Sequence, residues 1–265
     1  MQILQSDNSR CMEIGEARAP TVAVLGALLV TGAFEQVGQV LLVREFFVVF
    51  KGNEVSFGAV FAFWMFWTAI GSWVAGLFIR RIKRPVLLFC VLNLLLAACL
   101  IAEIYLVRIS RGFFAVPSSA YISIFSMALF TFVLLSGVCL IGGAQFVIGA
   151  RIYNGMHKYS GVEVPARTYI ADSLGCLTGG LAVTFVFVIF FDSFTSAFVS
   201  AACLLAGTAW LAYASGMRVS GAFAGAAAAA CLILSFFGSS LSWTADKSQW
   251  REYNKSYELV ETRNS

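Results

Sequence analysis

TVAVLGALLVTGAFEQVGQVLLV (residues 21–43) and SFGAVFAFWMFWTAIGSWVAGLFI (56–79), the second followed at once by RRIKR (80–84), decide the fold. The hydrocarbon core of a bilayer is about 30 Å thick and a helix rises about 1.5 Å per residue, so roughly 20 apolar residues cross it. Both stretches meet that length, and the basic run after the second is the kind of loop retained on the cytoplasmic side. Working outward, the same pattern recurs over 85–106, 119–149, 168–191, 194–214 and 219–242, for seven spans in all. The fold expected is all-α: a polytopic bundle of about seven transmembrane helices over 21–242, with a polar leader at 1–20 and a short tail at 243–265.

Composition supports lipid as the solvent. The 265 residues are 60% hydrophobic and 12% charged, with a mean hydropathy of +0.84; a soluble domain carries about 25% charged residues. Lys and Arg gather after the second, fourth and sixth spans (Arg80, Arg81, Lys83, Arg84; Arg151, Lys158, Arg167; Arg218). The net charge of +4 therefore reads as an orientation signal, with those loops and the N-terminus cytoplasmic and the tail outside. Basic residues do not form a stripe with interleaved aromatics, so nucleic acid is not an expected partner. The leader holds Asp7, Glu13 and Glu16 beside Arg10 and Arg18, unlike a cleavable signal, and the first run is expected to stay in the membrane.

Six of the seven cysteines lie within apolar runs and none forms a CxxC pair, so they read as packing residues; with His157 the only histidine, no metal site is expected. The sequence contains no Walker loop, GxGxxG, GxSxG or HExxH. Soluble catalytic chemistry is thereby excluded from the recognisable motifs.

Polar residues within the spans are the candidate site. An ionised side chain at the bilayer centre costs about 2.5–3.5 kcal/mol, and Glu35 lies inside the first span beside Gln36, with Gln39 one turn on. Gly32, Glu35 and Gln39 fall on one helix face by their spacing. Glu35 has two readings: a proton, cation or amine site within the bundle, or a hydrogen-bonded residue near the outer interface within reach of Arg44. Glu103 and Asp172 lie nearer helix ends, where interfacial water would solvate them. Asp172 opens a small-residue segment in which Gly175 and Gly179 form a GxxxG pair suited to close helix packing. Asn93 and Gln145 are expected interhelical hydrogen-bond partners. Gly142-Gly143 marks a tilt, kink or break in the fourth span, with a separate helix over 145–153 as one option. Lys51, Gly52, Asn53 and Glu54 form a polar turn between the first two spans, whose charges, with Arg44, would line an outer opening. Ser215-Gly216-Met217-Arg218 is short enough to demand a helical hairpin.

Two stretches, QVGQVLLVREFFVVFKGNEVSFGAVFAFWMFWTAIGSWVAG (36–76) and PARTYIADSLGCLTGGLAVTFVFVIFF (165–191), resemble the membrane half of bacterial membrane-fused spermidine synthases. Trp250-Arg-Glu-Tyr and Tyr257–Ser265 resemble the linker and opening strand of the α/β aminopropyltransferase domain that follows in that family. The resemblance implies aminopropyl transfer from decarboxylated S-adenosylmethionine to putrescine. The family's catalytic Asp and nucleotide loop match no residue of this chain, so no catalytic residue and no cofactor is assigned to it. The expected role is to anchor or regulate such a domain in the bacterial inner membrane, alone, as a homo-oligomer or with a partner membrane subunit. The alternatives are a small polyamine or cation transporter and a membrane scaffold.

Overall fold

The computed structural model describes residues 21–52, 54–114, 123–156 and 163–253. These fold into eight principal helices: α1 Thr21–Val49, α2 Glu54–Phe78 with a 3-10 turn Ile79–Arg81, α3 Pro85–Phe114, α4 Ile124–Met156, α5 Glu163–Ala182, α6 Ser193–Ala214, α7 Arg218–Ser235 and α8 Gly238–Tyr253. Helix α5 is prolonged by a π-helical segment, Val183–Phe187, and a last turn, Val188–Phe190. The first seven are long and apolar enough to cross a membrane, and the chain is a multi-pass membrane protein. Its outward surface agrees: Phe125, Phe190 and Phe236 are each at least 70% exposed, which only a hydrocarbon solvent tolerates on this scale.

Two core clusters sort the helix ends. Val24, Val86, Ile152 and Leu211 pack near the basic segment 80–84, with Ile82 and Met217 against them; this is the basic end. Val49, Val107, Met127, Phe194 and Ala245 pack at the far end. Helices α1 and α6 are the most enclosed and form the centre. Two neighbouring pairs, α1 with α5 and α2 with α4, run parallel. Gly175 and Gly179 lie so close to the Leu29 and Ala33 backbone that an added Cβ would stand 2.8 Å from the Leu29 or Ala33 main chain, which is the close approach a GxxxG pair permits. At the second pair Gly71 meets the Leu140 backbone and Gly143 meets Thr68 and Ser72. Ser72 Oγ donates to Gly143 O at 2.9 Å and Trp67 Nε1 to Phe132 O at 2.8 Å.

Span limits differ from expectation for physical reasons. Helix α1 runs to Val49 rather than residue 43, and α3 to Phe114 rather than 106, because Glu45 and Arg108, read as loop charges, neutralise each other inside the bundle. Helix α4 is continuous through Gly142-Gly143 to Met156; the glycines serve contact with α2, not a break, and 145–153 is no separate helix. The seventh span ends at Ser235, not 242. The chain turns at Phe236-Phe237, and Gly238 restarts a helix against Thr195, where a Cβ would lie 2.8 Å from the Thr195 nitrogen. That helix, α8, docks on the far ends of α3 and α6, so residues 243–253, read as linker, are helical and Ala245 is buried. The α6–α7 hairpin is as expected: Ser215 caps α6 and Gly216 takes φ +78°, a conformation glycine adopts without penalty. The α1–α2 turn places Lys51 at φ +55° and Gly52 at φ +72°. Asn53, the leader and the strand read at 257–265 lie outside the described residues.

Candidate functional site

With α1 reaching Val49, Glu35 stands midway between Thr21 and Val49, deeper than its expected place near an interface. Arg44 is nine residues farther along the same helix, about 13.5 Å of rise away, so Glu35 has no partner there. Its carboxyl points at α4: a Cβ on Gly142 would lie 2.9 Å from Glu35 Oε1. The absence of a side chain at Gly142 is what makes room for it. Glu35 is half-buried, and among the described residues nothing hydrogen-bonds or ion-pairs with it.

Asp172 of α5 faces α1 one turn nearer the basic end, and a Cβ at Gly32 would lie 2.8 Å from its Oδ1. The two carboxyls are within electrostatic reach of each other. Cys176 Sγ donates to Gly32 O at 3.6 Å and seals the junction. Gly32 and Gln36 therefore serve the α5 side, Gln36 lying beside Gly180, while Glu35 turns to α4. Gln39 is half-buried and forms no hydrogen bond with a described residue.

Glu103 is 5% exposed, which corrects the expectation that interfacial water solvates it. Its Oε1 accepts the Val138 N–H at 3.1 Å, and its Oε2 is buried without a partner. Glu103 abuts Gly137 and Glu35 abuts Gly142 on the same helix, a difference of about 7.5 Å in rise. Cys139 lies between them, in electrostatic reach of both. Toward the basic end, the Asn93 and Gln145 pair is formed as expected: Gln145 Nε2 donates to Asn93 Oδ1 at 2.7 Å and to Phe89 O at 3.2 Å, and Asn93 Nδ2 donates to Thr208 Oγ1 at 2.9 Å. Gln145 Oε1 is buried and unpartnered.

At the far end Arg108 grips Glu45 bidentately, Nε to Oε2 and Nη2 to Oε1 at 2.8 Å each. Its Nη1 donates to Ser242 Oγ of α8 at 2.7 Å, and the guanidinium lies 4.9 Å from the Phe194 ring centroid. A third span ending at residue 106 leaves Arg108 in a loop. The one signal for it was an Arg and a Glu at matching depths beyond two apolar runs. Arg44 and Glu54 do not join this group: Arg44 is half-buried and Glu54 opens α2 on the surface.

Polar groups thus follow one another along the interior: Asn93 and Gln145, then Asp172 and Glu35, then Glu103, then the Glu45–Arg108 pair. Among the described residues, no group of three or more His, Cys, Asp and Glu is arranged to hold a metal ion. No known protein family, curated protein or solved structure matches this chain.

Proposed function

We propose that the chain is a membrane carrier for a small organic cation of the polyamine class, with Glu35 as the central binding carboxyl and Asp172 and Glu103 flanking it. The observation that carries this reading is a carboxyl at the midpoint of a spanning helix, turned into the bundle against Gly142 and without hydrogen bond or counter-ion among the described residues. An intramembrane carboxylate is costly until a cation meets it, and an ammonium group supplies the missing charge. Three acidic side chains spaced along the interior suit a cargo bearing more than one. The resemblance to spermidine synthase-like membrane segments points to the same class of amine.

The role of anchor for an aminopropyltransferase domain is the second reading. Packing of α8 at the far end, opposite the basic loops, favours the carrier, because an attached domain would then lie across the membrane from cytosolic nucleotide. In this proposal the basic end is cytoplasmic in a bacterial inner membrane. Reporter fusions at Arg84 and Gly216 are expected to report cytoplasm and a fusion at Lys51 the opposite side; Arg84 and Lys51 on one side would overturn the arrangement.

The decisive measurement is uptake of labelled putrescine and spermidine into proteoliposomes under an imposed pH gradient or membrane potential. Wild-type protein is expected to accumulate at least one of them, and Glu35→Gln to lose at least tenfold in rate while eluting as the same folded species. Uptake no greater than in empty liposomes, or full uptake by Glu35→Gln, would defeat the proposal.

A further inference from the structure

A cavity of 570 Å³ opens among α2, α3 and α4 toward the basic end, and every residue lining it is apolar, Val74, Phe78, Leu88, Leu140 and Ile148 among them. Its lining runs along α2 from Trp67 to Phe78, a rise of about 16.5 Å, close to the roughly 15 Å depth of one hydrocarbon leaflet. The one polar atom of Trp67 is turned away into its bond with Phe132 O. Nothing polar in the slot would orient a water-soluble ligand.

The mouth has the opposite character. Phe78 and Ile82 end the slot, and the segment that bears them carries Arg80, Arg81, Lys83 and Arg84, all exposed. None of the four pairs with a carboxylate among the described residues. The Arg81 guanidinium lies 5.8 Å from the Phe78 ring centroid. Arg151 of α4 donates to Ile82 O at 2.9 Å and pins the segment at the opening. A dry slot of acyl-chain length beneath an unpaired cationic collar matches a molecule with a long hydrocarbon chain and an anionic head.

We propose that this is a binding site for an anionic phospholipid, with one acyl chain in the slot and the phosphodiester against the Arg80–Arg84 collar. Basic pockets between transmembrane helices recognise anionic headgroups in this way. The site stands independently of the carrier reading.

The test is native mass spectrometry of the full chain released from detergent with phosphatidylglycerol or phosphatidylcholine of identical chains. One phosphatidylglycerol is expected to be retained about tenfold better than phosphatidylcholine. Arg81→Gln with Lys83→Gln is expected to bring the two lipids near parity. Val74→Trp, at a lipid-exposed position lining the slot, is expected to release both, with thermal unfolding checking that each variant stays folded. Equal retention of both lipids by the wild type would overturn the proposal, as would unchanged selectivity in the double charge variant or displacement of bound lipid by glycerol phosphate. If Val74→Trp fails to fold, the charge variant alone decides.

Discussion

Arg108→Ala is expected to destabilise the bundle by about 3–5 kcal/mol, the usual effect of removing one member of a buried ion pair. Glu45 would be left charged and uncompensated at 5% exposure, while Ser242 and the Phe194 ring would lose their contacts with the guanidinium. Thermal unfolding in detergent measures the loss. Arg108→Lys is expected to recover only part, because an ammonium cannot reproduce the two parallel bonds to Glu45. The pair Glu45→Leu with Arg108→Leu should cost less than the sum of the single changes, since neither charge is then stranded. A midpoint unaltered in Arg108→Ala would mean that the grip on Glu45 is not a structural bond.

The second large effect is expected at Gly71. Alanine there would set a Cβ 2.9 Å from the Leu140 carbonyl carbon and Cα. These are backbone atoms, which cannot rotate away, so α2 and α4 must separate and strain the Ser72 and Trp67 bonds that cross between them. A loss of about 1–3 kcal/mol follows from overpacking of this kind. Gly76→Ala is the control on the same helix: nothing lies within 4 Å of its added Cβ, and alanine gains about 0.8–1 kcal/mol of helix propensity over glycine. Equal unfolding midpoints for the two variants would show that the α2–α4 contact is looser than described.

Much of this architecture could be read from the chain because its determinants are local. A run of some twenty apolar residues needs no partner to declare itself a span, and four residues between two spans leave only a hairpin. Gly175 and Gly179 announce a close contact by spacing alone, and Asn93 and Gln145, polar in apolar runs, had to find each other or an equivalent. What escaped depends on pairs distant in sequence. Arg108 and Glu45 each look like the end of a span until they meet. Gly143 reads as a hinge until Thr68 and Ser72 lie against it, and Glu103 seems interfacial until α3 proves longer. The break at Phe236-Phe237 interrupts an apolar run and is set by the fit of Gly238 on Thr195, a contact that no periodicity reveals. For the site, Glu35 and Asp172 were visible as isolated carboxyls, whereas their alignment with Glu103 was not.

The parallel pairing of α1 with α5 bears on how the protein is made. Gly32 and Asp172 touch, yet more than a hundred residues separate them, and at the usual 5–20 residues per second a ribosome takes on the order of ten seconds to cover that distance. Throughout that interval the α1 face at Leu29, Gly32 and Ala33 lacks the helix that later packs on it, whereas the Glu35 face meets α4 sooner.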